Sequence, residues 1–327
     1  MRNAFLSFDQ ITSLSEFEAQ AIALFTYQYY HNPVYRSYCD LIKKNPSDIK
    51  KSEDIPCLPI QFFKTHTVCC EIPIPKTYFS SSKTTGQIAS KHYIRDIQLY
   101  IKSFVRTFSS FYGPVHNYAI IALLPSYLER NDSSLVFMAQ HLIQMSNHPE
   151  SDFYLNEWDK LHNTLHRLEQ EEQPTLLLGV SFALLECVER FQWQLNNTII
   201  METGGMKGMR KEWIRSALHK KLQEGFGVSQ IHSEYGMTEL FSQAYAQEDG
   251  RFKTPPWMKV NTRSTEDPFE FLENNKTGAL NIIDLANVDS CAFIATEDLG
   301  KTHSDGSFEV LGRFDYAEIR GCNLLAL

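Results

Sequence analysis

Asn197-Thr198-Ile199-Ile200-Met201-Glu202-Thr203-Gly204-Gly205-Met206-Lys207-Gly208 carries an apolar strand straight into a glycine turn. A short apolar run bounded by turn residues suits a strand covered on both faces, here residues 197–201. The glycines allow a close backbone approach, and the N-terminus of the helix that follows favours an anion at the turn. That helix is expected over about residues 209–224. It would place Trp213, Ile214, Ala217, Leu218 and Leu222 on one side, with Gly225 as its C-cap.

The same unit repeats outward. Residues 118–124 and 175–180 are short apolar runs, each followed by an expected helix. The first helix covers about 135–144, and the second begins at Phe182 with Ser181 as N-cap. Residues 229–232 form a fourth expected strand. This alternation predicts an α/β fold, a layered core whose mainly parallel sheet carries helices on both faces. Ligands of such sheets bind beyond the carboxyl ends of the strands. The first 65 residues read as helical, with Leu14, Phe17, Ala21, Leu24 and Phe25 on one face. Residues 45–48 read as a turn, and the proline-rich segment 55–60 is expected to run extended. Residues 279–285, 292–296 and 307–311 are apolar runs separated by turns, which predicts a β-rich lobe. The expected division is 1–250 for the helical N-terminus and α/β core and 251–327 for the lobe.

The chain has 327 residues, 43% of them hydrophobic, and a formal net charge of −8. Its length carries one large domain or two unequal ones. The acidic balance disfavours a broad nucleic-acid surface, so no nucleic-acid partner is expected, although a local phosphate site remains open. No window approaches about 18 consecutive apolar residues, so no membrane span is expected. The N-terminus lacks the apolar core of a secretory signal. The cysteines are Cys39, Cys57, Cys69, Cys70, Cys187, Cys291 and Cys322, irregularly spaced and without a CxxC pair. They argue against a zinc ribbon or a disulfide framework and for a reducing cytoplasm.

Five segments carry chemistry-bearing residues. Ser80-Ser81-Ser82-Lys83-Thr84-Thr85-Gly86 offers hydroxyls, a lysine and a glycine to an anion, yet read alone it is more often a surface loop. The Glu202–Gly208 turn follows a strand and is, alone, either a ligand cradle or a tight connection. His232-Ser233-Glu234-Tyr235-Gly236-Met237-Thr238-Glu239 also follows a strand. Tyr235 offers a ring to a base, Thr238 a hydroxyl to a phosphate and Glu239 a hard oxygen to Mg²⁺. The plain alternative makes Tyr235 core and Glu239 a solvated charge. Thr296-Glu297-Asp298-Leu299-Gly300 and Gly312-Arg313-Phe314-Asp315, with Arg320-Gly321-Cys322 beyond, are individually ordinary turns or surface pairs.

Their order is more specific than any one of them. A hydroxyl-rich loop, TGGxxG, YGxTE, DLG and GRxD in this sequence resemble the adenylate-forming superfamily of acyl-CoA ligases, adenylation domains and firefly luciferase. The segments Pro59–Lys64, Pro125–Arg130 with Ser133-Ser134-Leu135, Leu178–Phe182 and Arg320-Gly321-Cys322 look closer still to its LuxE-type acyl-protein synthetases. The resemblance spans about residues 55 to 327. It implies an adenylate-forming N-terminal-domain-like core with the β-rich lobe completing the nucleotide site. It also implies ATP and Mg²⁺ as cofactors and acyl-AMP as product. Residues Ser81, Ser82, Thr84, Thr85 and Gly86 would form the phosphate loop, and Gly204 and Gly205 would lie against the nucleotide or acyl group. Tyr235 and Gly236 would line the adenine pocket, Thr238 would bind the α-phosphate, and Glu239 would help hold the metal. Asp298 and Arg313 would bind the ribose.

Two departures narrow that expectation. Lys83 stands where the family's loop has glycine, and Glu297 where it has glycine before the Asp. Full-length ligases continue for roughly 100 residues past the GRxD box into a mobile lid bearing a catalytic lysine. This chain stops at Leu327, so the lid is expected to be absent. Lys83 and Lys207 are then the in-chain cations best placed to replace its lysine. Cys322 matches the acylated C-terminal cysteine of LuxE-type enzymes, while a small buried residue is the commoner fate of a free cysteine. The function expected is an acyl-protein synthetase that activates a carboxylic acid, a fatty acid first. It would pass the acyl group to Cys322, a partner reductase or an acyl-carrier protein. An acyl- or aryl-CoA ligase and a catalytically silent nucleotide- or acyl-binding subunit stay open beside it. Tyr127, Phe182 and Leu184 are acyl-pocket candidates, though such residues are more often core.

Overall fold

The computed structural model describes residues 2–5, 7–70, 73–82, 88–124, 132–155, 157–204 and 213–313. Among these, twelve strands join in one sheet. Its parallel part runs, in spatial order, Asp152–Phe153, Ala119–Leu123, Thr175–Val180, Thr198–Thr203 and His232–Tyr235. Ala119–Leu123 and Thr175–Val180 are buried along their whole length. That is the pattern of strands covered on both faces. Helices Ser134–Ser146 and Ser181–Arg190 pack on these strands, and Arg215–Phe226 packs on Ser181–Arg190.

The sheet changes character at His232–Tyr235. That strand pairs in parallel with Thr198–Thr203 and antiparallel with Ala244–Ala246. The sheet then continues antiparallel through Arg251–Lys253, Phe308–Arg313, Phe293–Thr302, Gly278–Asp284 and Met258–Arg263. The β-rich part expected near the C-terminus is thus present, and its strands share hydrogen bonds with the α/β core. The proline-rich segment does run extended, and Leu58–Pro59 pairs in parallel with Phe293–Thr302.

Helix Leu14–His31 starts at a capping box in which Ser13 and Glu16 exchange hydrogen bonds. Phe17, Ala21, Leu24 and Phe25 are buried along it. Its Gln28 side chain donates to the carbonyls of Asn287 and Val288. The adjoining Asn32 donates to Ser290 O. Two buried amides therefore fasten the N-terminal helices to the turn after Gly278–Asp284. Unpaired carbonyls there would be costly.

Several local expectations are corrected. Leu14 is 69% exposed, because it opens the helix beside the cap rather than facing the core. Ser181 does not cap the helix Ser181–Arg190; its hydroxyl donates to Glu202 and to Gly204 O instead. The later helix spans Arg215–Phe226, so the exposed Trp213 and Ile214 precede it. The fourth strand begins at His232 rather than 229. Phe182 and Leu184 are core residues, and Tyr127 lies outside the described residues.

Gly225 is likewise inside its helix, where it lets the backbone approach Val188 closely. The C-cap is Gly227, with φ at 68°, and a Cβ there would lie 2.7 Å from Trp193 O. A left-handed position with no room for a side chain costs about 1–3 kcal/mol when glycine is replaced. Gly227→Ala is therefore expected to lower unfolding free energy by about that amount. Urea denaturation followed by circular dichroism would measure it, and an unchanged midpoint would refute the assignment.

Candidate functional site

The carboxyl ends of the parallel strands lie side by side. Thr203 and Glu234 are register partners, so Gly204 and Tyr235, the next residues, sit at one sheet edge. Gly204 has φ at 66° and ends its strand exposed, with Ser181 donating to its carbonyl at 2.7 Å. Tyr235 is buried, and its hydroxyl donates to Asp298 Oδ2 at 2.6 Å. Strand Phe293–Thr302 brings Asp298 there, and Asp298 is the direct cross-strand partner of Arg313. Arg313 Nε lies 3.4 Å from Asp298 Oδ1, and its Nη2 lies 3.2 Å from Glu297 Oε2. The Arg313 side chain is 68% exposed, so it remains within reach of a ligand.

Burial pushes the Asp298 carboxyl above its usual range; the Tyr235 hydrogen bond and the Arg313 charge pull it back only in part. Glu239 follows a similar logic. Its carboxyl is 5% exposed and raised by burial, with a hydrogen bond from Ser90 opposing the shift. Ser90 also closes the base of the hydroxyl-rich loop. Its N–H donates to Ser81 Oγ at 2.9 Å, and its carbonyl accepts from Ser81 N at 3.1 Å. The loop base and Glu239 are thereby neighbours.

Thr238 is half-buried, and its carbonyl contacts His92 Nδ1 at 2.9 Å. His92 Nε2 lies 3.1 Å from Asn287 Oδ1, and Asn287 Nδ2 donates to Glu239 O at 2.9 Å. Burial drops the His92 pKa to about 4, so the ring is neutral at pH 7. His92, Asn287 and Ser90 escaped the sequence reading because no local pattern marks them. Gln61 did stand in a quoted segment; it donates to Glu297 Oε1 at 2.7 Å. Gly236 is exposed, and a Cβ there would collide with the Glu234 carboxylate.

Of the residues singled out from sequence, Ser81, Ser82, Gly204, Tyr235, Gly236, Thr238, Glu239, Asp298 and Arg313 are described. Tyr235, Asp298 and Arg313 form one contact network, and Glu239 adjoins the Ser81 loop base. Exposed Ser82 follows Ser81 out of that base. Lys83, Thr84, Thr85, Gly86, Gly205, Lys207 and Cys322 lie outside the described residues. Among the described residues no group of three or more His, Cys, Asp or Glu side chains is arranged as a metal cage. No described helix is long and apolar enough to cross a membrane.

The fold is similar to that of solved acid ligases. A crystal structure of ATP-bound MatB from Rhodopseudomonas palustris aligns with a TM-score of 0.56 at 17% identity, over 72% of this chain and 47% of that one. An open conformation of 2-hydroxyisobutyryl-CoA ligase in complex with 2-HIB-AMP and CoA aligns at 0.66 and 13% identity, over 91% of this chain and 69% of that one. The chain spans about half the length of MatB. More specifically, residues 3–326 match the acyl-protein synthetase LuxE family, and the chain belongs to that family. No curated protein sequence matches it.

One hydrogen bond in the network has a pH signature. Tyr235→Phe removes a donor that favours the charged form of Asp298, so the carboxyl pKa should rise further. A carboxyl already raised above its unfolded value destabilises the fold once pH exceeds that unfolded value. The variant should accordingly lose about 1.5–3 kcal/mol at pH 7. The loss should shrink as pH falls through the raised pKa and both states bind the proton. Denaturation curves of the two proteins at pH 7 and at about pH 3, below the unfolded carboxyl's own pKa of about 3.9, would test this. A pH-independent difference would contradict it.

Proposed function

We propose that this protein is an ATP-dependent acid ligase of the acyl-protein synthetase type. It activates a carboxylic acid, a fatty acid foremost, as acyl-AMP. It then transfers the acyl group to Cys322 or to a partner protein such as a reductase or acyl carrier. The observation that carries the reading is the convergence of Tyr235, Asp298 and Arg313 at the strand ends where Thr238 and Glu239 begin their loop. Family membership supports it.

In this reading Asp298 and Arg313 hold the ribose hydroxyls, one as acceptor and the other as donor. Tyr235 closes the base pocket beside them, with Gly236 leaving room at its edge. Thr238 donates its hydroxyl to the α-phosphate. The loop from Ser81 to Gly86 surrounds the outer phosphates, and Gly204 and Gly205 let the backbone approach the nucleotide or acyl group. Glu239 fits a Mg²⁺ ion: Mg²⁺ is usually held by one or two carboxylates plus substrate phosphates, and this carboxylate is buried without an ion pair among the described residues. When bound, the ion offsets phosphate charge. Lys83 and Lys207 supply cationic side chains to the same end.

Activation is needed because a carboxylate has no good leaving group. Its oxygen attacks the α-phosphorus, a new O–P bond forms, and the bond to pyrophosphate breaks. The Cys322 thiolate, its proton lost to solvent, then attacks the acyl carbonyl and AMP departs. Thr238 and the cations stabilise the developing negative charge.

ATP–pyrophosphate exchange across a panel of fatty and aromatic acids tests the first step. Asp298→Ala and Thr238→Ala should each lower exchange by about a hundredfold with the preferred acid. Absence of exchange with every acid would defeat the proposal. Cys322→Ser should keep exchange and lose hydroxylamine-sensitive acylation, whereas retained acylation would exclude Cys322 as acceptor. Lys207→Ala should slow acyl-AMP formation; an unchanged rate would remove Lys207 from the mechanism.

A further inference from the structure

A cavity of about 540 Å³ lies beside the antiparallel part of the sheet, away from Tyr235. Arg263, Asn281 and Ala295 line it from three adjacent strands, and residues of segment 51–61, whose Pro59 pairs with Ala295, line it as well. That volume is typical of small-molecule sites.

Its polar groups are unevenly satisfied. Arg263 is only 2% exposed, yet its guanidinium donates just to Leu280 O at 3.0 Å and Thr296 O at 2.8 Å. Among the described residues it meets no carboxylate. Guanidinium carries five N–H donors, so a buried one with two carbonyl partners retains unspent capacity and an uncompensated charge. Asn281, 3% exposed, has a buried Oδ1 with no hydrogen-bond partner. Buried polar atoms without partners are rare enough that each calls for a reason.

The acids along the cavity do not answer Arg263. Glu53 lies 2.6 Å from Lys51 and 3.9 Å from Lys259. Asp54 accepts from the backbone N–H groups of Lys50 and Lys51. Lys44 at the rim is half-buried and makes no ion pair among the described residues. Cys57 contributes a neutral thiol, its pKa pushed up to about 12 by burial against the opposing pull of Arg263. Phe269 and Phe271 stand at the cavity 55% and 36% exposed, an apolar surface left open.

We propose that this cavity is a second binding site, outside the nucleotide site, for an amphiphilic carboxylate. Arg263 and Lys44 receive the carboxylate, and Phe269 and Phe271 cover the apolar body. A guanidinium matches a carboxylate in shape as well as charge. The site also touches the first one indirectly. Gln61 lines the cavity and donates to Glu297, which pairs with Arg313.

The inference stands without the adenylation reading, since binding is measured with no nucleotide present. Isothermal titration calorimetry with octanoate should show saturable binding. Octan-1-ol, which has the same chain and no charge, should bind at least about tenfold more weakly. Lys44→Glu should raise the octanoate Kd by at least about tenfold. Lys44 is half-buried at the rim, so its substitution tests the site without removing a core residue. Failure of octanoate to bind at ~10 mM, far weaker than a built site allows, would overturn the proposal. So would equal affinity for octanol, or binding insensitive to the Lys44 substitution.

Discussion

Everything at the site depends on how the chain reverses after Tyr235. The strand His232–Tyr235 ends a parallel run, and Ala244–Ala246 must return antiparallel beside it. Residues 236–243 make that reversal, and 239–243 are buried, where backbone groups cannot rely on water. Asp284 answers much of the need. Its buried carboxylate accepts from Phe241 N at 2.7 Å, Ser242 N at 2.8 Å, Ser242 Oγ at 2.6 Å and Ala286 N at 3.2 Å. Asn287 and His92 hold the carbonyls of Glu239 and Thr238 in the same way. The loop that follows Tyr235 is therefore fixed by three polar side chains from elsewhere in the chain.

The antiparallel part adds the second half of the site by register. Asp298 and Arg313 face each other across one pair of strands, with an irregularity in the ladder just after, between Leu299 and Gly300. Side chains alternate along a strand, so a one-residue slip would turn Asp298 away from Tyr235. Arg263 ties the adjoining strands together, since its two hydrogen bonds reach Leu280 O on the next strand and Thr296 O on the strand beyond it. The continuous sheet gives Tyr235 and Asp298 a common rigid support. Residues held on strands keep their geometry better than residues on loops.

Much of this was legible before the structure. The strand Thr175–Val180 was read to its residue limits, because an apolar run between turn signals has few other fates. The YGMTE, DLG and GRxD segments were read as parts of one site, and Tyr235, Asp298 and Arg313 do meet. What escaped was set by competition between distant groups. Ser181 stands in an N-cap sequence, but the buried Glu202 carboxylate and Gly204 carbonyl take its hydroxyl. Gly225 looked like a helix end, while tight packing on Val188 uses its missing side chain and Gly227 supplies the left-handed turn. His92 and Asp284 are far from the loop they hold. Nothing in their own neighbourhoods distinguishes them from other polar residues.

Two buried glutamates at neighbouring strand ends show why the site is asymmetric in charge. Burial pushes the Glu202 carboxyl up, but His219, Arg215 and Ser233 outweigh it and hold it below its usual range. Arg215 Nε stands 3.5 Å from Glu202, and His219 Nε2 stands 3.6 Å from it. This carboxylate is already neutralised within the fold, which suits a structural strut. Glu239 is equally buried, yet the hydroxyl of Ser90 and the more distant charges of Arg313 and Lys64 leave it above the usual range. An ionised carboxylate in such a place is stabilised by an added cation far more than a solvated one would be. The same comparison separates the two: Glu202 is answered by Arg215, His219 and Ser233, whereas Glu239 makes no ion pair among the described residues.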